Sequence, residues 1–297
     1  MITKINPNIN CIPTPLSSDN NNKDLTPNVY FIKSKGRAAF IDSGFRDDPA
    51  LKDRIHQATQ QPNLKVERII LTHHHPDHYG GAKQIQEATG GQISIHTEER
   101  PFLKNGNNKP NDLTIQNKTL KPGHNRLDQG IITQFLKNGD YINIGDLSLE
   151  IIHTPGHTMG SICVFLKKDG ILFTGDSILG NGTTAIMPPP VGNMSLYIQS
   201  LRKLQKYTIK MILPGHGPTI HNAQEKIAFL IKHREDREGQ ILSLIKTNTT
   251  IVSILPKIYP ALKPHLSQMA YWQIEAHLDK LIKEGQIKRT KTGFSIT

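Results

Sequence analysis

The chain has 297 residues, 36% of them hydrophobic and 21% charged, with a formal charge of +11 at neutral pH, a composition that fits one large domain or a large one with a small companion. No run approaches the roughly 18 apolar residues needed to cross a bilayer, and the opening MITKINPNINCIPTPLSSDNNNKD has no charged-then-apolar leader pattern, so a cytoplasmic protein with no membrane partner is expected. Two cysteines, Cys11 and Cys163, are too few for a disulfide framework, and Cys163, within 161-SICVFL-166, is expected to pack as a small buried hydrophobe.

Alternating apolar residues predict strands over 28–34 and 38–44, joined as a hairpin across Lys35-Gly36-Arg37. Residues 47–60 place Leu51, Ile55 and Ala58 at helical spacing behind an acidic pair. A strand over 68–72 runs into 73-HHHPDH-78. Gly80-Gly81 then opens a helix over 82–89, and 92–97 reads as a strand. The Asn/Lys-rich stretch Lys104–Lys121 reads as a long surface loop or lid. Strands resume over 141–144, 147–154, 161–167 and 171–176, and a helix over 195–205 precedes a strand over 210–214. Strand pairs alternating with helices predict an α/β fold in which two sheets pack face to face with helices outside. After 215-GHGPTIHN-222 the pattern becomes helical, over 223–246, 251–259 and 266–285, and ends in two short strands around Lys291-Thr292-Gly293. That is the outline of a small winged helix–turn–helix. The expected division is a catalytic domain over 1–222 and a linker helix with winged helix over 223–297.

The stretch 73–78 has the form HxHxDH. In an extended segment His73 and His75 share one side and His74 points away. Pro76 ends the extension, and a turn can bring Asp77 and His78 beside the first pair. Imidazole and carboxylate are zinc donors. Three further donors stand at the ends of apolar strands beside glycine: His157 in 154-TPGHT-158, Asp176 in 173-FTGDS-177 and His216 in 213-LPGHG-217. Seven donors suit two ions. His73, His75 and His157 are assigned to the first, Asp77, His78 and His216 to the second, and Asp176 to the bridge between them. Two Zn2+ are expected, and Mn2+ or Fe2+ suits the same set. Two such ions would lower the pKa of a shared water toward about 7 and polarise the group it attacks, with Asp77 also expected to orient that water or take its proton. His74 is expected to be structural. His56, His96, His124, His221, His233, His265 and His277 read as ordinary, and His153 carries no assignment.

The motifs 72-THHHPDH-78, 154-TPGHT-158, 173-FTGDS-177 and 214-PGHG-217 resemble the signatures of the metallo-β-lactamase superfamily, which implies an αββα sandwich with a dinuclear zinc site at one edge. Further on, 175-GDSILGNGTTAI-186, 213-LPGHGPTIHNAQEKI-227 and 233-HREDREGQIL-242 resemble the β-lactamase-like protein 2 group, whose members carry a C-terminal winged helix. The resemblance to the animal members implies an endoribonuclease that selects single strands. The commonest two-zinc lactamases differ in placing cysteine where this chain has Asp176 and in lacking a metal-binding histidine at the position of His78. The inserted domain of the RNA-cutting β-CASP nucleases is absent, since only 39 residues separate Asp176 from His216.

Three functions follow for test. The first is phosphodiester cleavage in single-stranded RNA. The last 72 residues hold 12 Lys and Arg against 6 Asp and Glu, and Lys288, Arg289 and Lys291 on the wing are the expected phosphate contacts. The second is hydrolysis of a small thioester or other acyl substrate, resembling glyoxalase II. The third is a nucleic-acid-binding protein with a secondary metal site. Against it, 266-LSQMAYWQIEAHLDKLIKEG-285 offers Gln268 and Gln273 for base contacts but also Glu275 and Asp279, which repel phosphate. Tyr271 and Trp272 are expected in the core rather than against bases. The C-terminal domain is expected to pack over the site or to join subunits, so a homo-oligomer is allowed.

Overall fold

The computed structural model describes residues 2–15, 26–46, 48–103 and 128–297, with the backbone alone of 113–115, 118–120 and 265. By contact the chain forms two compact units. The first is 1–154, 160–183 and 208–223, and the second is 155–159, 184–207 and 224–297. The two are therefore not separated by a single cut near Ala223, because the segment 184–207 and the short loop 155–159 cluster with the C-terminal helices. Two hydrogen bonds show why: Arg234 and Gln273, both from the C-terminal helices, donate to the carbonyl of Thr184.

The first unit is built on two sheets. One has seven strands in the order β1 (Thr3–Asn6), β2 (Ile9–Pro13), β3 (Asn28–Ser34), β4 (Arg37–Ile41), β5 (Lys65–Ile70), β6 (Gln92–His96) and β9 (Ile132–Leu136). Its first four strands pair antiparallel and its last four parallel. The antiparallel hairpin of β3 and β4 turns on Lys35 and Gly36, both at positive φ, as a tight two-residue connection requires. The crossovers between β4, β5 and β6 are made by α1 (Leu51–Thr59), the single turn α2 (Pro76–Tyr79) and α3 (Ala82–Thr89). A separate two-stranded ribbon joins β7 (Leu113–Ile115) to β8 (Lys118–Leu120); the rest of the segment expected as a lid lies outside the described residues. The other sheet has five strands in sequence order, β10 (Tyr141–Ile144), β11 (Leu147–His153), β12 (Ile162–Leu166), β13 (Ile171–Gly175) and β14 (Met211–Pro214), the last pair parallel.

Period-2 alternation decides which face of each strand meets which layer. Tyr30 and Ile32 of β3, Ala39 and Ile41 of β4 and Ile70 of β5 join Leu149, Ile151, Val164, Phe173 and Leu213 of the second sheet in one core between the sheets. The alternate residues Val29, Phe31, Ala38, Phe40 and Ile69 meet Leu51, Ile55 and Ala58 of α1 and Ala82 and Ile85 of α3 in a second core. Near-continuous apolar runs such as 69-IIL-71 thus mark strands buried on both faces. Cys11 and Cys163 are buried and form no disulfide among the described residues.

The second unit holds α4 (Met194–Leu204), α5 (Ala223–Leu244, its first residue counted with the first unit), α6 (Ile251–Ile258), α7 (Ser267–Lys283) and the hairpin of β15 (Ile287–Arg289) and β16 (Phe294–Ile296). Asn193 caps α4 through Leu196 N, and Thr250 caps α6 through Ser253 N, each satisfying an amide that the first helical turn leaves open. Ile241, Ile245, Ile251, Ile254, Ile274, Leu278, Leu281, Ile287 and Phe294 close the winged-helix core. Among the described residues no helix is long and apolar enough to cross a membrane.

Candidate metal centre

The chain leaves β5 through the buried Leu71 and is fixed at Thr72. The Thr72 amide and hydroxyl donate to Asp42, and its carbonyl accepts from Ile162 N at 3.0 Å. Beyond this anchor His73 and His75 lie side by side, ring centroids 4.6 Å apart. His74 turns away as alternation demands. It pairs with the buried Glu99 and stacks flat on Phe102, with centroids 4.5 Å apart and planes at 4°. Pro76 starts the single turn α2, which swings His78 back until its ring centroid is 4.1 Å from that of His73. The turn is seated on the 43–46 segment. Ser43 N and Oγ both donate to His78 O, at 2.8 and 2.7 Å, and a Cβ at Gly81 would strike the Ser43 carbonyl.

The second sheet supplies the remaining donors of this unit. β13 and β14 run parallel, so Asp176 and His216, each just past a strand end, emerge at one edge. His73, His75 and Asp176 present ligand atoms all within 4.8 Å of one another, and so do Asp77, His78 and His216. Asp176 faces both groups: its Oδ1 is 3.2 Å from His78 Nε2 and 3.5 Å from His216 Nε2. Asp77 Oδ2 lies 3.0 Å from His216 Nε2 and 3.6 Å from His78 Nε2. The turn beneath must be bare, since a Cβ on Gly215 would sit 2.7 Å from Asp176 Oδ1 and 2.8 Å from His78 Cε1. The loop with His216 is clasped from the first sheet. Asn28 N donates to Gly215 O at 2.7 Å, Asn28 Nδ2 to Pro214 O and Gly217 O at 3.0 and 2.9 Å, and Tyr30 OH to Pro214 O at 2.7 Å.

His157 belongs by contact to the second unit. There its Nδ1 donates to Ala185 O at 2.8 Å, with Thr184 Oγ1 3.3 Å away. A carbonyl only accepts, so Nδ1 carries the proton and Nε2 the lone pair, the tautomer a metal ligand needs.

The electrostatics of the cluster call for positive charge. Burial opposes a proton on His78, but the carboxylates of Asp176, Asp77 and Asp42 prevail and hold its pKa well above the ordinary imidazole range. Burial likewise pushes the Asp77 carboxyl up, while His78 and His216 pull it down to about 2. Three carboxylates converging on a buried ring, with imidazole nitrogens facing inward, form a donor set chemically fitted to divalent cations.

Asp42 joins the candidate site although the motifs do not reveal it. It is buried, its backbone is left-handed at φ 60, and its Oδ2 accepts from His78 Nδ1 at 2.7 Å. It therefore orients a candidate ligand from behind. The only local sign is a strand-end aspartate in 40-FIDSG-44. His153, which carried no assignment, stacks on His96 with centroids 4.0 Å apart. Lys288, Arg289 and Lys291 are exposed, with the Arg289 guanidinium 4.8 Å from the Phe294 ring centre. Tyr271 packs partly buried against the winged-helix core, and Trp272 is half-buried.

Comparison with known proteins gives two matches to family models: residues 22–216 to the metallo-beta-lactamase superfamily and residues 250–294 to the beta-lactamase associated winged helix domain. A beta-lactamase-like protein 2 homolog of Drosophila melanogaster is 30% identical over 272 residues, covering 89% of this chain and 85% of that one. An atrochrysone carboxyl ACP thioesterase of Aspergillus fumigatus is 27% identical over 72% of this chain and 58% of its own. The crystal structure of a beta-lactamase domain protein from Burkholderia ambifaria superposes with a TM-score of 0.79 at 19% identity, covering all of this chain and 93% of that one.

Proposed function

The chain belongs to the metallo-β-lactamase superfamily, and from that premise we propose that it is a two-metal hydrolase that cleaves phosphodiesters of single-stranded RNA. The observation that carries the two-metal reading is Asp176, grouped with His73 and His75 on one side and within 3.5 Å of His78 and His216 nitrogens on the other. His157 is proposed as the further ligand of the first set, from its TPGHT motif and the tautomer its Ala185 contact imposes. A zinc, manganese or iron pair bound there would supply Lewis acidity and a water of lowered pKa.

The chain's own contributions can be stated atom by atom. Asp77, about one-quarter exposed and 3.0 Å from His216 Nε2, is the carboxylate placed to orient an attacking water or take its proton. Asp42 holds the His78 ring through Nδ1. Residues 1–222 are proposed as the catalytic part and 223–297 as the part that draws in the nucleic acid. The exposed Lys288, Arg289 and Lys291 and the basic balance of the C-terminal segment support a polyanionic substrate.

A second reading, hydrolysis of a small thioester or other acyl substrate, is favoured by the likeness to the Aspergillus thioesterase. Turnover of single-stranded RNA, duplex RNA and an acyl thioester by the purified protein separates the two. The RNA reading expects single-strand cleavage that disappears with chelator and in Asp77→Ala. Thioester turnover without RNA cleavage would sink it in favour of the second reading.

A further inference from the structure

The second unit contains more than the wing. It also holds His157, and the way it holds it extends from that ring to the winged-helix helices. The carbonyl of Ala185 and the hydroxyl of Thr184 face His157 Nδ1 at 2.8 and 3.3 Å. The same two-residue segment is gripped again at the Thr184 carbonyl, where Arg234 of α5 donates at 2.6 Å and Gln273 of α7 at 3.3 Å. Thr184 and Arg234 are both almost wholly buried.

A guanidinium buried this deeply is costly unless its charge is used. Among the described residues its partners are that carbonyl and the face of Tyr197, 5.4 Å away. Its Nε has no hydrogen-bond partner among the described residues. Tyr197 in turn stands where a Cβ of Gly156 would fall, and Asn193 N donates to Gly156 O at 2.8 Å. The loop that carries His157 is thus backed by α4, and the carbonyl next to the one that selects its tautomer is held by α5 and α7.

We propose that Arg234, assisted by Gln273, is a positioning residue for the metal centre. It fixes the Thr184–Ala185 segment, that segment fixes the proton and the ring plane of His157, and metal affinity at the first ligand set therefore depends on the C-terminal helices. This rests on the metal reading above and gives the winged-helix unit a role independent of any contact with nucleic acid.

The test uses the full-length protein stripped of metal and titrated with Co2+ against a competing chelator, following stoichiometry, affinity and the visible absorption of the bound ion. Arg234→Lys keeps the charge but loses the planar fork, and Gln273→Leu removes the second donor. His157→Ala marks which equivalent belongs to the first set. Lys280→Met is the structural control, since it breaks the 2.6 Å Lys280–Glu238 pair between the same two helices without touching Thr184.

Arg234→Lys is expected to weaken the equivalent marked by His157→Ala by about 10-fold and to alter its absorption band, within the range known for partners behind metal ligands. Gln273→Leu is expected to weaken it by about 3-fold, by the same argument, and it decides the matter if Arg234→Lys does not fold. Lys280→Met is expected to bind as wild type. Wild-type affinity for both equivalents in Arg234→Lys and Gln273→Leu overturns the proposal while leaving the metal reading intact, and equal weakening in Lys280→Met overturns it as well. A wild-type protein that binds no metal overturns both readings together.

Discussion

Asp42→Asn exchanges one oxygen for a nitrogen behind the ligand cluster. Asp42 Oδ1 accepts from Thr72 N at 2.8 Å and Oδ2 from His78 Nδ1 at 2.7 Å. An asparagine that keeps its carbonyl on the Thr72 amide must turn its NH2 toward His78 Nδ1. Two donors then meet, and the imidazole relieves the clash by moving its proton to Nε2. That nitrogen faces Asp176, Asp77 and His216, so the position assigned to the metal becomes blocked. Loss of a partner that orients a metal-bound histidine costs about 10–100-fold in affinity. At a fixed excess of metal this removes about 1.4–2.7 kcal/mol of metal-induced stabilisation. Asparagine tolerates the left-handed backbone that Asp42 adopts at φ 60, so no backbone strain adds to the loss in the metal-free protein. Thermal unfolding of stripped and reloaded protein, wild type and variant, measures the difference. The argument is refuted if the reloaded variant gains as much Tm as wild type, or if it loses as much when stripped as when loaded.

Other outcomes follow from the same contacts. Gly215→Ala should abolish hydrolysis and metal uptake, because its methyl group would fall 2.7 Å from Asp176 Oδ1 and 2.8 Å from His78 Cε1; normal metal content in this variant would show that the turn yields. Ile274→Ala, at a fully buried position of the winged-helix core, should cost about 2–5 kcal/mol in chemical denaturation, and a loss under about 1 kcal/mol would contradict that burial. Burial holds the His277 imidazole below its ordinary pKa, opposed by Glu238 and reinforced by Arg234 and Lys280. The unfolded chain therefore takes up that proton first. The contribution is whole above about pH 6.5 and is lost as pH falls toward the folded value, by up to about 1.4 kcal/mol per pH unit. His277→Gln should flatten the stability profile between about pH 7 and 5.5, and parallel wild-type and variant profiles would rule this out.

Much of the architecture could be read where a pattern is local. The helix expected over 82–89 is observed as Ala82–Thr89, bounded by Gly81 and a left-handed Gly90, because caps and periodicity lie within one short window. His73, His75, Asp77 and His78 come together because strand alternation and Pro76 act within six residues, and Asp176 and His216 join them because parallel strands end at one edge. What escaped the sequence depends on distant partners. β1 and β2 are short and broken by asparagine, and β9 reads 132-ITQFL-136 with polar residues at two of five positions, so neither announces a strand until a neighbour pairs with it. The role of Asp42 needs a histidine 36 positions away. Arg234 stands in the charged run 233-HREDREGQ-240, where a buried cation looks like any solvated one until its carbonyl 50 positions back is seen.

The clasp from Asn28 and Tyr30 onto residues 214–217, together with the Thr72 to Ile162 link, rivets the rims of the two sheets beside the ligands of the first unit. Neither sheet can shear past the other without breaking buried hydrogen bonds, so the spacing of those ligands is set when the sandwich folds. A cation bound at this edge would then need side-chain adjustment alone, with the sheets already in place.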